Sequence, residues 1–130
     1  MQKGFRPYLI FKGNCKQALH FYAEIFKGEI TKTRTYKDSP LDVDDDLKGR
    51  IFDMEMQSEL LTIGASDDLP SYPVTIGSNI SLFITLETRA EAQDYFNLLS
   101  EKGQVLMNFN DGFAMVKDQF GIHWMILGLA

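Results

Sequence analysis

Three polar side chains, Asp53, Glu55 and Gln57, alternate with Phe52, Met54 and Met56 along the segment RIFDMEMQ. A strand sends successive side chains to opposite faces, so this period collects two carboxylates and an amide on one side, about 7 Å apart. Such a row can contribute oxygens to a cation, or move a proton where apolar burial raises a carboxylate pKa. It is equally what the wet side of an antiparallel sheet looks like. Other chemistry is sparse. His20 and His123 are the only histidines. His20 falls beside the apolar stripe of a helix and reads as a surface residue, while His123 shares a strand face with Met125. Cys15 opens a helix, where the positive dipole end lowers a thiol pKa, but no histidine stands at a predictable distance to activate it. The aspartates Asp42, Asp44, Asp45 and Asp46 lack the glycine and closing glutamate of a calcium loop and read as a solvated turn. There is no Gly-x-Ser-x-Gly elbow, no HExxH helix and no glycine-rich nucleotide loop.

The elements that must position these groups form a repeat. Phe5 to Phe11 reads as a strand, and Asn14 opens an amphipathic helix with Gln17 three residues on. Asn79 to Glu87 reads as a second strand, and Thr88 opens a second helix with Glu91 three on. Both starts have the capping-box pattern that satisfies orphan N–H groups. Adding 74 maps Ala18 onto Ala92, Phe21 onto Tyr95, Tyr22 onto Phe96 and Ile25 onto Leu99. The helices stop at Lys27-Gly28 and Lys102-Gly103, where glycine is expected in the left-handed conformation. Ala18, Leu19, Tyr22, Ile25 and Phe26 give the first helix a wide apolar stripe to lay on a sheet.

Strands follow each helix. Glu29 to Tyr36 alternates polar and β-branched residues and reads as a half-exposed strand near a sheet edge. Lys37 to Lys48 reads as a loop, and Gly49 to Ala65 as a hairpin around Gln57-Ser58-Glu59. Asp67 to Ser78, with two prolines and a glycine, reads as the connection between the halves. Gln104 to Met107, Gly112 to Lys117 and Ile122 to Leu127 complete the second half, the last two joined by an Asp118–Gly121 turn. Both faces of the final strand are apolar, which suits a place in the middle of a sheet. Aromatic and methionine side chains, Trp124, Phe83, Phe113, Met115 and Met125 among them, mostly serve the core. Those on an inner face would suit a planar or apolar small molecule whose polar group meets Asp53, Glu55, Gln57 or Ser81.

At 130 residues with 45% apolar composition, one domain with one shared core is expected. Thirteen basic against eighteen acidic residues give a net charge of -5 with no basic cluster, which argues against nucleic acid as a partner. A single cysteine excludes an internal disulfide and fits a reducing cytoplasm. The stretch MQKGFRPYLIFKGN has only a short apolar run broken by Lys12, so no signal segment is expected. No stretch approaches the roughly 18 apolar residues of a membrane span.

The segments PYLIFKGNCKQALHFYAEIFKGEI, RIFDMEM, NISLFITLETRAEAQDYF and FAMVKDQFGIHWMI, in this order, resemble the PhnB-like branch of the vicinal oxygen chelate superfamily, which includes glyoxalase and bleomycin-resistance proteins. The block D-x-F-G-x-x-W-M-I is the most specific part. The resemblance implies an α+β fold in which two βαβββ modules, about 5–66 and about 78–130, make a curved, mostly antiparallel sheet with outer helices and an inner ligand cup. It also implies a homodimer. Metal-dependent relatives hold an ion with one side chain from each of four strands. Those positions fall near Pro7, at Asp53, near Ser81 and at Met125, so only Asp53 keeps a ligating group and no metal or other cofactor is expected. The expected function is metal-free binding of a small molecule in the cup, through Asp53, Glu55, Gln57, Ser81, Trp124 and Met125. The alternative is a metal- or carboxylate-dependent enzyme, lyase, isomerase or dioxygenase-like, with a divergent ligand set.

Overall fold

The computed structural model describes residues 3–130. Two compact units divide between Val74 and Thr75, and each is a four-stranded mixed sheet carrying one helix. The first contains β1 (Tyr8–Phe11), α1 (Cys15–Phe26), β2 (Glu29–Thr35), β3 (Ile51–Gln57) and β4 (Thr62–Asp67). The second contains β5 (Ser81–Leu86), α2 (Arg89–Leu99), β6 (Gln104–Asn110), β7 (Phe113–Lys117) and β8 (His123–Gly128). The strand orders are β1-β4-β3-β2 and β5-β8-β7-β6, one topology built twice. In each sheet the first and last strands pair in parallel and the other pairings are antiparallel. The repeat read from two helices is thus a repeat of whole βαβββ units, and the fold is α+β of the glyoxalase type.

Burial follows the expected stripe in α1, whereas in α2 only Ala92 and Leu99 are buried and Tyr95 and Phe96 stay partly exposed. Ala18, Leu19, Tyr22, Ile25 and Phe26 are all buried, against a sheet face supplied by Met54, Met56, Ile63 and Ala65. In the second unit Ala92 and Leu99 face Ile84, Leu86, Ala114, Val116, Trp124 and Ile126. Each large side chain taken from water in this way contributes about 1.5–3 kcal/mol, far more than helix propensity does. As the alternation predicts, β2 lies at a sheet edge and β8 lies between two neighbours.

Several local expectations are corrected. Strand β1 starts at Tyr8 instead of Phe5, because Pro7 has no N–H for the ladder; its carbonyl accepts the Gly64 N–H at 3.1 Å. Asn14 makes no side-chain cap. The buried carboxylate of Asp67, at the end of β4, caps α1 instead: one oxygen accepts the Cys15 N–H at 2.8 Å and the other the Ile51 N–H at 2.9 Å. Thr88 does cap α2, its hydroxyl accepting the Glu91 N–H at 3.1 Å.

The left-handed residues after the helices are Lys27 (φ 54°) and Lys102 (φ 56°), and the glycines that follow them are needed for space. A Cβ on Gly28 would lie 2.6 Å from the Gln57 carbonyl oxygen, and one on Gly103 would lie 2.5 Å from that of Lys117. Gly121, by contrast, takes positive φ (91°) in its turn as anticipated.

The connection after β4 is held in place. The Asp68 carboxylate receives the Arg50 guanidinium at 3.1 Å and the Val74 N–H at 3.0 Å, and Leu69 bridges Tyr72. The segment between β2 and β3 holds two short 3-10 turns, Tyr36–Asp38 and Asp45–Leu47. No helix among the described residues is long and apolar enough to cross a membrane.

Candidate functional site

The alternation in β3 resolves as the sequence predicts from Asp53 to Gln57, but not at its start: Ile51 is buried and Phe52 only half-buried, with the Arg34 guanidinium over its ring, where the register with β2 shifts. Met54 and Met56 are buried toward α1, while Asp53, Glu55 and Gln57 lie on the opposite, helix-free face. What the alternation does not reveal is their company. On one side β2 aligns Lys32 with Glu55 and Arg34 with Asp53; on the other, β4 aligns Gly64 with Glu55, and β1 aligns Tyr8 with Gly64. A register shift between Ile30 and Lys32 lets consecutive residues both reach the carboxylates, as a bulge allows. The Thr31 hydroxyl donates to Glu55 Oε1 at 2.7 Å, and the Lys32 ammonium meets Asp53 Oδ2 at 2.6 Å.

Further donors surround the two carboxylates. Tyr8 donates its hydroxyl to Asp53 Oδ1 at 2.8 Å, and Gln57 Nε2 donates to Glu55 Oε1 at 2.9 Å. Arg6 stands 3.6 Å from Glu55 Oε2. The Tyr8 ring reaches Asp53 by lying across Gly64, where a Cβ would come within 2.7 Å of the ring. Gly64 is thus the residue that lets the ring lie against the sheet.

These contacts set the protonation states. Burial pushes the Asp53 carboxyl up, but the Lys32 ammonium and the Tyr8 hydroxyl outweigh it and hold the group below the ordinary carboxylate range. Burial and the Asp53 acceptor both push the Tyr8 phenol above its ordinary value. At neutral pH the pair is therefore a carboxylate and a neutral phenol. The raised carboxyl pKa that proton transfer by Asp53 would call for is not what this environment produces; the shift runs the other way. Cys15 is corrected as well. It is fully buried, and burial together with the Asp67 and Asp53 charges raises its pKa, overriding the helix-end effect.

The other anticipated residues lie in the second unit, on two different faces. Ser81 and Met125 are on its helix-free face, with Ser81 aligned to His123, Met125 to Phe83, and Met115 to both Met125 and Met107. Phe83 and Met107 are about half exposed there, and the Phe83 and Phe113 ring centres are 6.3 Å apart. Trp124 points to the helix side, is fully buried, and donates its indole N–H to the Asp118 carboxylate at 2.8 Å. Its ring belongs to the core of that unit. His20 is exposed on α1, as read.

The four positions to which the resemblance assigns an ion carry poor ligands. Pro7 and Met125 offer no hard donor, Ser81 offers a neutral hydroxyl, and Asp53 already holds an ammonium and a hydroxyl. Among the described residues no three His, Cys, Asp or Glu side chains gather where they could hold an ion. Tyr8, Arg6, Thr31 and Lys32 escaped the sequence reading. The one available signal was the alternation of Lys32 and Arg34 in EITKTRTY, complementary to Asp53 and Glu55 across a strand pair.

Residues 3–127 match the family model described as 3-demethylubiquinone-9 3-methyltransferase. Protein PA1353 from Pseudomonas aeruginosa is 31% identical over 98% of both chains, with a TM-score of 0.87. A putative 3-demethylubiquinone-9 3-methyltransferase, PhnB protein, from Bacillus cereus is 22% identical over 98% of this chain and 100% of that one, with a TM-score of 0.80. The fosfomycin resistance protein FosX from Listeria monocytogenes shares the fold at 13% identity, covering 100% of this chain and 94% of its own, with a TM-score of 0.66.

Proposed function

The chain belongs to the PhnB-like family whose model is described as 3-demethylubiquinone-9 3-methyltransferase, within the vicinal oxygen chelate superfamily, and from that premise we propose that it binds a small organic molecule without a resident metal ion. The observation that carries this reading is the occupancy of Asp53. At the one superfamily position that keeps a carboxylate, a lysine ammonium and a tyrosine hydroxyl take both oxygens. An incoming cation would have to displace Lys32 and would find no second carboxylate or imidazole at the other three positions. FosX has been crystallised with Mn(II) and a dihydroxypropylphosphonic acid; the ammonium of Lys32 supplies positive charge here instead.

On the first unit the ligand would lie over the helix-free face that carries Asp53, Glu55 and Gln57. On the helix-free face of the second unit, taken by itself, Ser81 lies on the same face as an apolar row of Phe83, Met125, Met115 and Met107, a surface suited to hydrocarbon. Methyl transfer is no part of this reading. The N-terminus of α1, where a glycine-rich loop would present free N–H groups to a nucleotide-like donor, is closed by the Asp67 carboxylate. We place the protein in the cytoplasm as a homodimer; a reducing compartment suits Cys15, a buried free thiol.

Metal analysis of the purified protein, with thermal shift against Mn(II), Ni(II) and Zn(II), tests the proposal. Substoichiometric metal and no stabilisation by any of the three are expected. Stoichiometric metal that disappears in Asp53→Ala would overturn it and favour a metal-dependent enzyme.

A further inference from the structure

The helix-free face of the first unit carries a more specific chemical preference, and this step rests on the small-molecule reading above. Its acceptors are recessed and its donors project. The Asp53 and Glu55 side chains are 21% and 17% exposed, whereas Lys32 and Arg6, their ionic partners, are 54% and 46% exposed. Both Asp53 oxygens are taken, by Tyr8 and Lys32; Glu55 Oε1 receives Thr31 and Gln57, and Oε2 faces Arg6 at 3.6 Å. The hydrogen of the Tyr8 hydroxyl is spent on Asp53. An arriving molecule thus meets outward ammonium and guanidinium N–H groups. It must supply negative charge or strong acceptors, since a cation would face these two outer charges.

The same face offers a flat aromatic surface. Tyr8 is 46% exposed, and its ring is fixed from beneath by Gly64 and at its tip by Asp53. Arg6 packs over Gly64 too, its Nε 3.1 Å from where a Cβ would stand, so a guanidinium borders the ring. Ile10, also 46% exposed, follows on the same side of β1. We propose that this face binds a planar organic anion, an aromatic carboxylate or its equivalent, stacked on Tyr8 with its charged group toward Lys32 and Arg6. The recessed carboxylates are then positioning groups: Asp53 holds the ring and the ammonium in place, and Glu55 holds Arg6.

Calorimetric titration of the full-length protein with three probes tests this: naphthoate, its neutral amide, and cyclohexanecarboxylate, which keeps the charge without a planar ring. Naphthoate is expected to bind about tenfold or more tightly than either comparator, with affinity falling as salt is added. Lys32→Met should weaken naphthoate about tenfold while Lys32→Arg restores most of the loss, and Tyr8→Ala, which removes the ring, should weaken it more than Tyr8→Phe, which removes only the bond to Asp53. Circular dichroism of each variant controls for folding. Naphthoate binding that ignores Lys32→Met and Tyr8→Ala overturns the site. Preference for the amide, with the same two residues required, overturns the anion class and leaves small-molecule binding standing. No binding by any probe, with no small molecule in a broad neutral and cationic panel stabilising the fold, overturns both.

Discussion

Asp53 shows how neighbours, more than residue type, decide what a carboxylate can do. Placed among apolar groups it would keep its proton and could pass it on; placed between Lys32 and Tyr8 it stays charged and becomes a structural anchor. Because its folded pKa lies below the unfolded value, it contributes stability above the ordinary carboxylate pKa of about 3.9, and that contribution is lost as pH falls through the lower folded value. Asp53→Asn should accordingly cost ~0.5–1 kcal/mol at pH 7, the scale of a pair whose lysine is half in water. The gap should close under strong acid. Urea unfolding of both proteins across that range checks it, and a gap that persists at the acid end would mean the loss is not ionic.

Each helix is fixed at its ends by different means, although the sequence writes the two in the same way. Thr88 caps α2 with its own hydroxyl, while α1 receives a carboxylate from β4, 52 residues further along. Thr88→Ala should then cost about 1 kcal/mol, whereas Asn14→Ala should cost little. Denaturant melts of the two variants separate the cases, and equal losses would contradict the assignment of the α1 cap to Asp67. The glycines after the helices are alike in purpose, leaving room for a neighbouring carbonyl. Gly103→Ala, which sets a Cβ against the Lys117 oxygen, should destabilise by about 1–3 kcal/mol. A neutral outcome would show that β7 can shift to make room.

At the scale of the whole molecule, the two repeats end in unlike edges. Strand β2 carries Lys32, Arg34 and three threonines across its span and in this way discourages strand addition; β6, its counterpart, exposes Val105, Leu106 and Met107 in succession. An apolar edge left open in this way is what a second copy would cover. Light scattering on a sizing column should return twice 14.8 kDa, and Leu106→Lys should reduce it to the monomer mass; a wild-type monomer would sink the dimer. By itself the sequence determined the paired βαβββ plan, the buried stripe of the first helix, the two faces of β3 from Asp53 onward and the central place of β8. Those follow from periods of 3.6 and 2 and from local capping chemistry, which depend on near neighbours in the chain. Only the tertiary structure decided that Asp67 caps α1, that Trp124 turns to the core, and that Tyr8 and Lys32 close on Asp53. Each of these depends on strand register, and a bulge or a proline shifts which side chains meet without changing the hydrophobic pattern that the letters display.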